Sequence, residues 1–211
     1  MLTLSASQNF QHMSLQKSIG TFIVALLLFS CSQKKIQPDN IYKFRSYISY
    51  TTSGVISTSD VFEINLTKSI DDWEVGKEIS SDLIAIYPKV TGKLITKNGT
   101  TLRFIPDESL EPNTEYSVTV KLHQIFKDIS EQQKSYTFQC KTITPSFSIA
   151  TNSLQSYDTN WQYVSGVLRT ADYISLSDAK KMISAKQEGE NISIVWNQSS
   201  DKSKYFDFKL D

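Results

Sequence analysis

The stretch Leu110-Glu111-Pro112-Asn113-Thr114-Glu115-Tyr116 decides the fold of this 211-residue chain, because a clear β-strand follows it directly. From Tyr116 to Leu122 apolar and polar residues alternate, and this period of two is typical of a strand with one buried face. Pro112 fixes the backbone ahead of the strand and favours a turn. The sequence therefore predicts a sharp corner that leads into a half-buried strand.

The same alternation recurs on both sides of this corner. Upstream it covers residues 62–66, and downstream it covers Tyr136, Phe138 and Cys140. Asn98-Gly99 separates two further strand-like stretches, and this pair predicts a hairpin with a type I′ turn. Closely spaced strands without a long helical period predict an all-β sandwich. Cys140 falls on the apolar side of its strand, where we expect a core thiol.

Thr144-Pro145 marks the predicted end of this first domain. Residues 161–168 then read as a strand, and alternation returns at residues 192–196 and 206–210. Between them, Ser175 and Asp178 form an S-x-x-D cap ahead of an apolar helical pattern. We therefore expect a second, partial β-sandwich over residues 146–211 with one short helix, and the alternation that continues to the last residue predicts a truncated domain.

The corner resembles the loop found in many Ig-like and fibronectin-like domains. Its L-x-P-x-T-x-Y pattern assigns Leu110, Pro112, Thr114 and Tyr116 to a structural tyrosine corner, in which the tyrosine hydroxyl bonds back to the backbone. The alternative is an ordinary hairpin turn with a buried tyrosine. The resemblance implies an antiparallel Ig-like sandwich, which we place at residues 54–145.

The N-terminal segment has the features of a secretory signal. Ile19–Ser30 is an uncharged run of about 12 residues, which is the length of a signal-peptide core and short of the roughly 20 residues that span a bilayer. Lys17 supplies the positive charge before it. Residues 1–12 contain no basic residue, which favours translation from Met13. We predict that residues 1–30 are a signal peptide.

The end of that segment resembles the lipobox of bacterial lipoproteins. Leu28, Phe29 and Ser30 precede Cys31, whose thiol takes a diacylglyceryl group in that family. Phe29 is bulkier than usual at its position, and a plain signal peptide or a core helix ending at a cysteine are the alternatives. The resemblance implies that lipidated Cys31 begins a tether over residues 31–53. Ser32, with no acidic cluster after Cys31, favours an outer-membrane anchor facing the periplasm.

Composition excludes several classes of function. With 22 Lys+Arg against 22 Asp+Glu the chain is formally neutral, so it has no overall field for nucleic acid. Two cysteines and two histidines do not make a redundant zinc site or a disulfide scaffold. His123 is predicted in a loop, and the acidic pairs at 71–72 and 107–108 are typical of solvated turns. We expect no enzyme activity, no cofactor and no metal.

The order of these motifs is similar to the N-terminus of large bacterial alpha-2-macroglobulin lipoproteins, particularly those of Bacteroidetes type. The lipobox is followed by residues 38–45 (P-D-N-I-Y-K-F-R), the Ig-like (SbsA-type) domain, and then W-Q-Y and G-V-L-R-T-A-D within residues 161–172. The resemblance covers residues 31–211, and it implies that residues 146–211 begin a macroglobulin domain. Members of this family trap proteases, and many capture the attacker with a C-x-E-Q thioester.

This chain departs from that chemistry. Cys140 is followed by Lys141-Thr142-Ile143, so no thioester is carried over, and no bait region is recognisable. The resemblance implies a non-catalytic anchoring and spacer region, with proteases as partners of missing C-terminal parts. The alternative is a stand-alone Ig-like envelope lipoprotein that binds a glycan or a protein. Trp73, Trp161 and Trp196 could stack on a sugar, although core or interface packing is the favoured explanation.

Overall fold

The computed structural model describes residues 36–71, 73–156, 158, 161–197 and 200–210. The predicted signal peptide, the lipobox and Cys31 lie outside these residues. Within them no helix has the length and apolar character needed to cross a membrane. From Gln37 onward the chain forms one compact unit, which contains the predicted Ig-like domain and the β region C-terminal to it.

The first nine strands build a two-layer sandwich. They are β1 (Ile48–Thr51), β2 (Gly54–Ile56), β3 (Phe62–Leu66), β4 (Glu78–Ile79), β5 (Ile84–Tyr87), β6 (Gly92–Asn98), β7 (Thr101–Pro106), β8 (Glu115–Val120) and β9 (Tyr136–Thr142). One sheet has the order β1-β3-β7-β6-β4 and the other β2-β9-β8-β5. All pairs are antiparallel except β2 with β9, which is parallel. In the described residues one short 3-10 helix, Ile41–Phe44, precedes β1, and three others lie between strands, at Ser81–Leu83, Leu122–Gln124 and Glu131–Gln133.

The core of the sandwich lies between the two inward faces, as the alternation predicts. In β3 the residues Phe62, Ile64 and Leu66 are buried, and in β9 Tyr136, Phe138 and Cys140 are buried with them. Aromatic rings meet at the centre, where the Phe62 ring lies 5.7 Å from that of Tyr116. Burial of this apolar surface is the main force that holds the two sheets together. The predicted all-β fold is confirmed.

The predicted tether is wrong in its second half. Ile48 is buried, and β1 pairs with β3. Phe44 is also buried, with its ring 4.9 Å from that of Tyr136. Upstream, the backbone of Asp39 bonds to Thr137 at 2.8 Å. The sandwich therefore begins before residue 54. The prediction failed because residues 38–53 are mostly polar and contain only a few apolar side chains, which pack against the end of the sandwich.

The hairpin at Asn98-Gly99 is confirmed, but its turn type is not. Strands β6 and β7 pair as predicted, yet neither Asn98 nor Gly99 has the positive φ that a type I′ turn needs. Instead the Asn98 side chain accepts hydrogen bonds from the Thr100 N–H at 2.9 Å and the Thr100 hydroxyl at 3.0 Å. An asparagine that bonds to backbone two residues ahead makes an Asx turn, which competes with the type I′ geometry.

The second β region consists of a five-stranded sheet with one helix on it and a separate two-stranded hairpin. Its elements are β10 (Phe147–Thr151), β11 (Gln155–Ser156), β12 (Gln162–Ser175), α1 (Leu176–Met182), β13 (Ala185–Gln187), β14 (Glu190–Ile192), β15 (Ile194–Asn197) and β16 (Lys202–Leu210). The sheet order is β10-β12-β16-β15, while β13 and β14 form a separate hairpin. The strand predicted over residues 192–196 is thus split at Ser193, because its two halves pair with different neighbours.

Helix α1 begins as predicted and covers one face of this sheet. The Ser175 side chain accepts a hydrogen bond from the Asp178 N–H at 3.1 Å, which satisfies a donor at the helix start. Leu168, Ala179 and Phe206 form the buried cluster between helix and sheet. Trp196 packs edge-on against Phe206, with ring centroids 6.4 Å apart. Among the described residues of the second region, this cluster is small beside the core of the sandwich.

Candidate functional site

The candidate site is the junction where the second β region meets the Ig-like domain. Three sets of residues build it: the corner at residues 110–116, the turn after β2 at residues 57–60, and the irregular stretch of β12 around Asp172. Hydrogen bonds connect the turn after β2 both to the corner and to Asp172.

The corner residues hold the end of the sandwich from inside. The Tyr116 hydroxyl accepts a hydrogen bond from the Glu111 backbone N–H at 2.9 Å, and the Tyr116 ring is buried. Leu110 is buried and donates its backbone N–H to the Thr58 carbonyl at 2.8 Å. The corner thereby fixes the position of the turn after β2.

The corner also binds the strand that leaves the domain. The Thr142 hydroxyl donates to the Glu111 carbonyl at 2.6 Å and accepts from the Thr114 N–H at 2.9 Å. Asn113, which has a positive φ of 52°, donates its N–H to the Ile143 carbonyl at 3.1 Å. Asparagine tolerates this left-handed conformation better than most residues. The last strand is thus fastened to the corner up to the point where the linker begins.

Asp172 of the second region reaches across to the Ig-like domain. Its carboxylate accepts hydrogen bonds from the Ser57 hydroxyl at 2.7 Å, the Thr58 N–H at 2.7 Å and the Thr58 hydroxyl at 2.8 Å. The Tyr173 N–H adds a fourth at 2.8 Å. Hydrogen bonds to an ionised acceptor are the stronger kind. We call this group, Asp172 with Ser57 and Thr58, the junction clamp.

The ionisation of Asp172 results from these contacts. Partial burial acts to raise the pKa of its carboxyl group, but the hydrogen bonds from Ser57, Thr58 and Tyr173 outweigh that effect and hold the pKa below its usual value. Asp172 is therefore charged at neutral pH. Sequence reasoning missed this residue, since an S-T turn and an aspartate more than 100 positions apart carry no local signal.

A groove of about 540 Å³ lies beside the clamp. Leu110, Pro112 and Ile143 line it from the Ig-like domain, and Phe147, Tyr173 and Met182 are among the residues that line it from the second region. Its walls are mainly apolar, and Phe147 and Tyr173 are both more than half exposed. The arrangement suits packing of apolar side chains more than acid–base chemistry.

The other residues singled out from the sequence lie apart from this junction. Cys140 is buried in the sandwich core, and burial, with a smaller effect of Asp60, raises its pKa to about 12. His123 is exposed on a 3-10 helix, where its Nδ1 lies 3.0 Å from the Lys134 carbonyl oxygen. Trp73 packs partly against the sandwich core, whereas Trp161 is largely exposed. Across the described part of the chain, no group of three or more metal-ligating side chains occurs.

Comparison with known proteins gives one family and one solved structure. Residues 43–148 match the family model of the bacterial Ig-like domain. No curated protein matches the sequence. Among solved structures the chain is similar to an L,D-transpeptidase from Mycobacterium tuberculosis H37Rv, at 9% identity and a TM-score of 0.33, over 72% of this chain and 59% of that one. This chain thus spans less than two thirds of that structure, and the likeness is too low to bear on fold or activity.

The family match covers the nine-stranded sandwich, the corner at residues 110–116 and the first residues of β10. It begins at residue 43, in agreement with the burial of Phe44 and Ile48. Because the matched segment is half of the sequence, the chain belongs to the bacterial Ig-like domain family.

Proposed function

We propose that this chain is the non-catalytic anchoring and spacer region of an envelope alpha-2-macroglobulin-like protein. Cys31 is the lipid attachment site, the anchor lies in the outer membrane facing the periplasm, and the Ig-like domain separates that anchor from the more C-terminal domains. Protease trapping is carried mainly by parts C-terminal to these two regions. The support for membership in that larger family is the motif order in the sequence.

The observation that carries the spacer role is the junction clamp. Residues 143–146 link β9 to β10, and Asp172 bonds across this short linker to Ser57 and Thr58. A spacer that sets a distance needs such a cross-connection, because a linker alone leaves neighbouring domains free to move. The clamp supports a rigid spacer, in which the two regions keep a fixed relative position, in place of two domains that move freely about a flexible linker.

Palmitate labelling tests the anchor. In a bacterial host given radiolabelled palmitate, the full chain should incorporate label, and Cys31→Ala should abolish incorporation and release the protein from the membrane fraction. Cys140→Ala is the matched control, since it removes the other thiol of the mature sequence and should leave labelling unchanged. Label that persists in Cys31→Ala contradicts the anchor.

Distance measurement between two spin labels tests the spacer. With one label at Lys93 and one at Lys186, both on exposed positions, the clamp predicts a single narrow distance distribution. Asp172→Ala should broaden it, whereas Asp207→Ala, which removes an exposed carboxylate of the same region, should not. A distance distribution that is already broad with Asp172 in place overturns the rigid spacer. It does not bear on the lipid anchor.

A second candidate function is a stand-alone envelope lipoprotein that binds a protein. The apolar groove and the exposed strand β10 favour it over glycan binding, because the three tryptophans do not gather in one place. Reading the gene beyond codon 211 separates the two candidates. An open frame that continues into macroglobulin domains supports the spacer, and a stop codon there supports the binding module.

A further inference from the structure

Strand β10 is an open sheet edge without the features that usually protect one. It lies at the end of the order β10-β12-β16-β15, and all five of its residues are exposed. It pairs with β12 in unbroken register from Phe147 to Thr151. Its sequence, F-S-I-A-T, contains no charge and no proline. Regular, apolar edges of this kind tend to pair with another strand.

The edges of the Ig-like sandwich are different. Strand β1 has a register shift between Ile48 and Tyr50, which twists an edge away from pairing. Strand β4 has two residues, β2 has three and begins with Gly54, and β5 is followed by Pro88. Short strands, bulges and prolines are the usual protection. The other edge of the same sheet, β15 (Ile194–Asn197), is also uncharged, but it is shorter and its Ile194 and Trp196 are half-buried. Strand β10 therefore differs from the sandwich edges and is the more exposed edge of its own sheet.

The hydrogen-bond pattern shows which backbone groups of β10 face outward. The flanking bonds run from the Ala171 N–H to the Ser146 carbonyl at 2.9 Å and from the Asn152 N–H to the Ser165 carbonyl at 2.8 Å. Because hydrogen-bonded residues alternate along an antiparallel pair, the even-numbered residues bond to β12. The N–H and C=O groups of Phe147, Ile149 and Thr151 point to the open side.

Those three residues are arranged symmetrically. Ile149 is central, with Phe147 and Thr151 two residues away on either side. Under a two-fold axis at Ile149, an antiparallel second copy of β10 pairs Ile149 with itself and Phe147 with Thr151, so that every outward N–H and C=O finds a partner. The strand carries no charge that would repel its copy.

The side chains favour the same arrangement. Ile149 lies opposite Leu168 in the register, and Leu168 lies opposite Phe206, so all three share the face covered by α1. Ile149 and Phe147 extend this apolar face to the edge, where they are 46% and 56% exposed. A second copy in this register continues the apolar face across the two-fold axis and covers both residues.

We infer that β10 pairs with β10 of a second copy of this chain, antiparallel and centred on Ile149, to join the two second-region sheets into one. This homodimer is independent of the lipid anchor and of the spacer role. Its occupant is a second copy because every outward N–H and C=O finds a partner in this register, no charge repels the copy, and the two apolar faces join across the axis.

Cysteine cross-linking of the full chain tests the register. Opposed residues of a hydrogen-bonded antiparallel pair have Cα atoms about 5.5 Å apart, within the range that a disulfide spans. Under mild oxidation Ile149→Cys should form a covalent dimer, and so should a mixture of Phe147→Cys with Thr151→Cys. Phe147→Cys alone should not, because its two copies lie four residues apart, roughly 14 Å. Tyr205→Cys, at an exposed position on β16, is the control for random collision.

The outcomes are decisive in both directions. Dimer from Ile149→Cys and from the mixed pair, without dimer from Phe147→Cys alone, supports the inference. No dimer from Ile149→Cys above the Tyr205→Cys level overturns it. Dimer from Phe147→Cys alone also overturns it, since that result requires a parallel or shifted pair or a different partner surface.

A charge exchange separates pairing from misfolding. Ile149→Lys and Ile149→Glu each place two like charges at the two-fold axis, and each variant should sediment as a monomer. A mixture of the two should sediment as a heterodimer, because opposite charges then face each other. Val195→Lys and Val195→Glu on the other edge strand, at a similarly exposed position, should leave the dimer unchanged. A monomeric mixture, or an unmodified chain that is monomeric at high concentration, contradicts the inference.

Discussion

The Ig-like domain and the second β region are both sheets of similar strands, yet they bury very different cores. In the described residues the buried apolar cluster of the sandwich has nineteen side chains, whereas that of the second region has three. Two sheets facing each other exclude water from both inner faces, but one sheet with a seven-residue helix covers only part of one face. We infer that the sandwich folds by its own packing and that the second region depends on its neighbours.

This difference teaches where the junction clamp matters. A region with a small core has little free energy of its own, so a few hydrogen bonds to a stable neighbour are a large part of its total. The clamp and the groove beside it are the places where the second region meets the sandwich. Substitutions in the two regions and at the clamp should therefore differ in how much they lower the free energy of unfolding and in how far the destabilisation spreads through the chain.

The largest expected difference is in thiol reactivity. Burial raises the pKa of Cys140 to about 12, so at pH 8 its thiolate is scarce, whereas a Tyr205→Cys thiol at an exposed position on β16 keeps an ordinary pKa of about 8.5. We expect Cys140 to react with a maleimide roughly a thousandfold more slowly than the introduced cysteine. Mass spectrometry of a labelling time course measures both rates in one protein. Equal rates would mean that the sandwich core opens readily.

Truncation of one phenylalanine in each core should destabilise different parts of the chain. Phe62→Ala should lower the free energy of unfolding by about 4 kcal/mol, because the ring is fully buried between Phe104 and Tyr116. Phe206→Ala should cost about 3 kcal/mol locally and unfold the second region first. Urea denaturation gives the first value, and amide hydrogen exchange shows the second. Loss of protection in β3 or β8 in Phe206→Ala would contradict independent folding of the sandwich.

Asp172→Ala should destabilise the second region by about 2 kcal/mol, since it removes a charged acceptor that serves Ser57 and Thr58. Asp172→Asn should lose only part of this stabilisation, because the amide keeps one acceptor oxygen but presents donors where the clamp needs a second acceptor. The folded-state pKa of Asp172 lies below its unfolded value of about 3.9. The stabilisation is therefore present above about pH 4 and is lost as pH falls further.

Thermal melts from neutral pH into the acidic range check the sign of that pH dependence. The unmodified chain should lose the contribution of Asp172 at the acidic end, and Asp172→Ala should lack that component. A variant whose acid sensitivity equals that of the unmodified chain would assign the titration to other carboxylates.

Tyr116→Phe should have the smallest effect, about 1 kcal/mol, and it should fall on the sandwich. The substitution keeps the buried ring and removes only the acceptor for the Glu111 N–H. Chemical denaturation measures the loss. A loss as large as that of Phe62→Ala would mean that the corner contributes more through its hydroxyl than through its ring.

The alternating residues made the sandwich predictable, because the sequence period matches the burial period. Phe62, Ile64 and Leu66 all face the core, and the strand at Tyr116 also buries its apolar residues. The helix start at Ser175 was equally local, since a cap and its donor are three residues apart. The corner at residues 110–116 could be located from its local pattern, although the sequence could not show what packs against it.

The features that escaped sequence-based prediction depend on pairing between distant residues or on competing side-chain bonds. Phe44 and Ile48 lie in a polar stretch, and their contacts with β9 and β3 place them in the fold. Asn98 makes an Asx turn instead of a type I′ turn because its side chain bonds to Thr100. Asp172 meets Ser57 across more than 100 residues, and no period or motif encodes that contact.

The parallel pairing of β2 with β9 has a mechanical consequence. Gly54–Ile56 runs alongside Cys140–Thr142 in the same direction, so the chain enters β2 at one end of the pair and leaves β9 at the other. Once tension along the chain reaches these strands, it pulls them past each other and loads their hydrogen bonds together, in shear, instead of opening them one by one. A domain connected in this way resists stretching more strongly than its short ladder suggests.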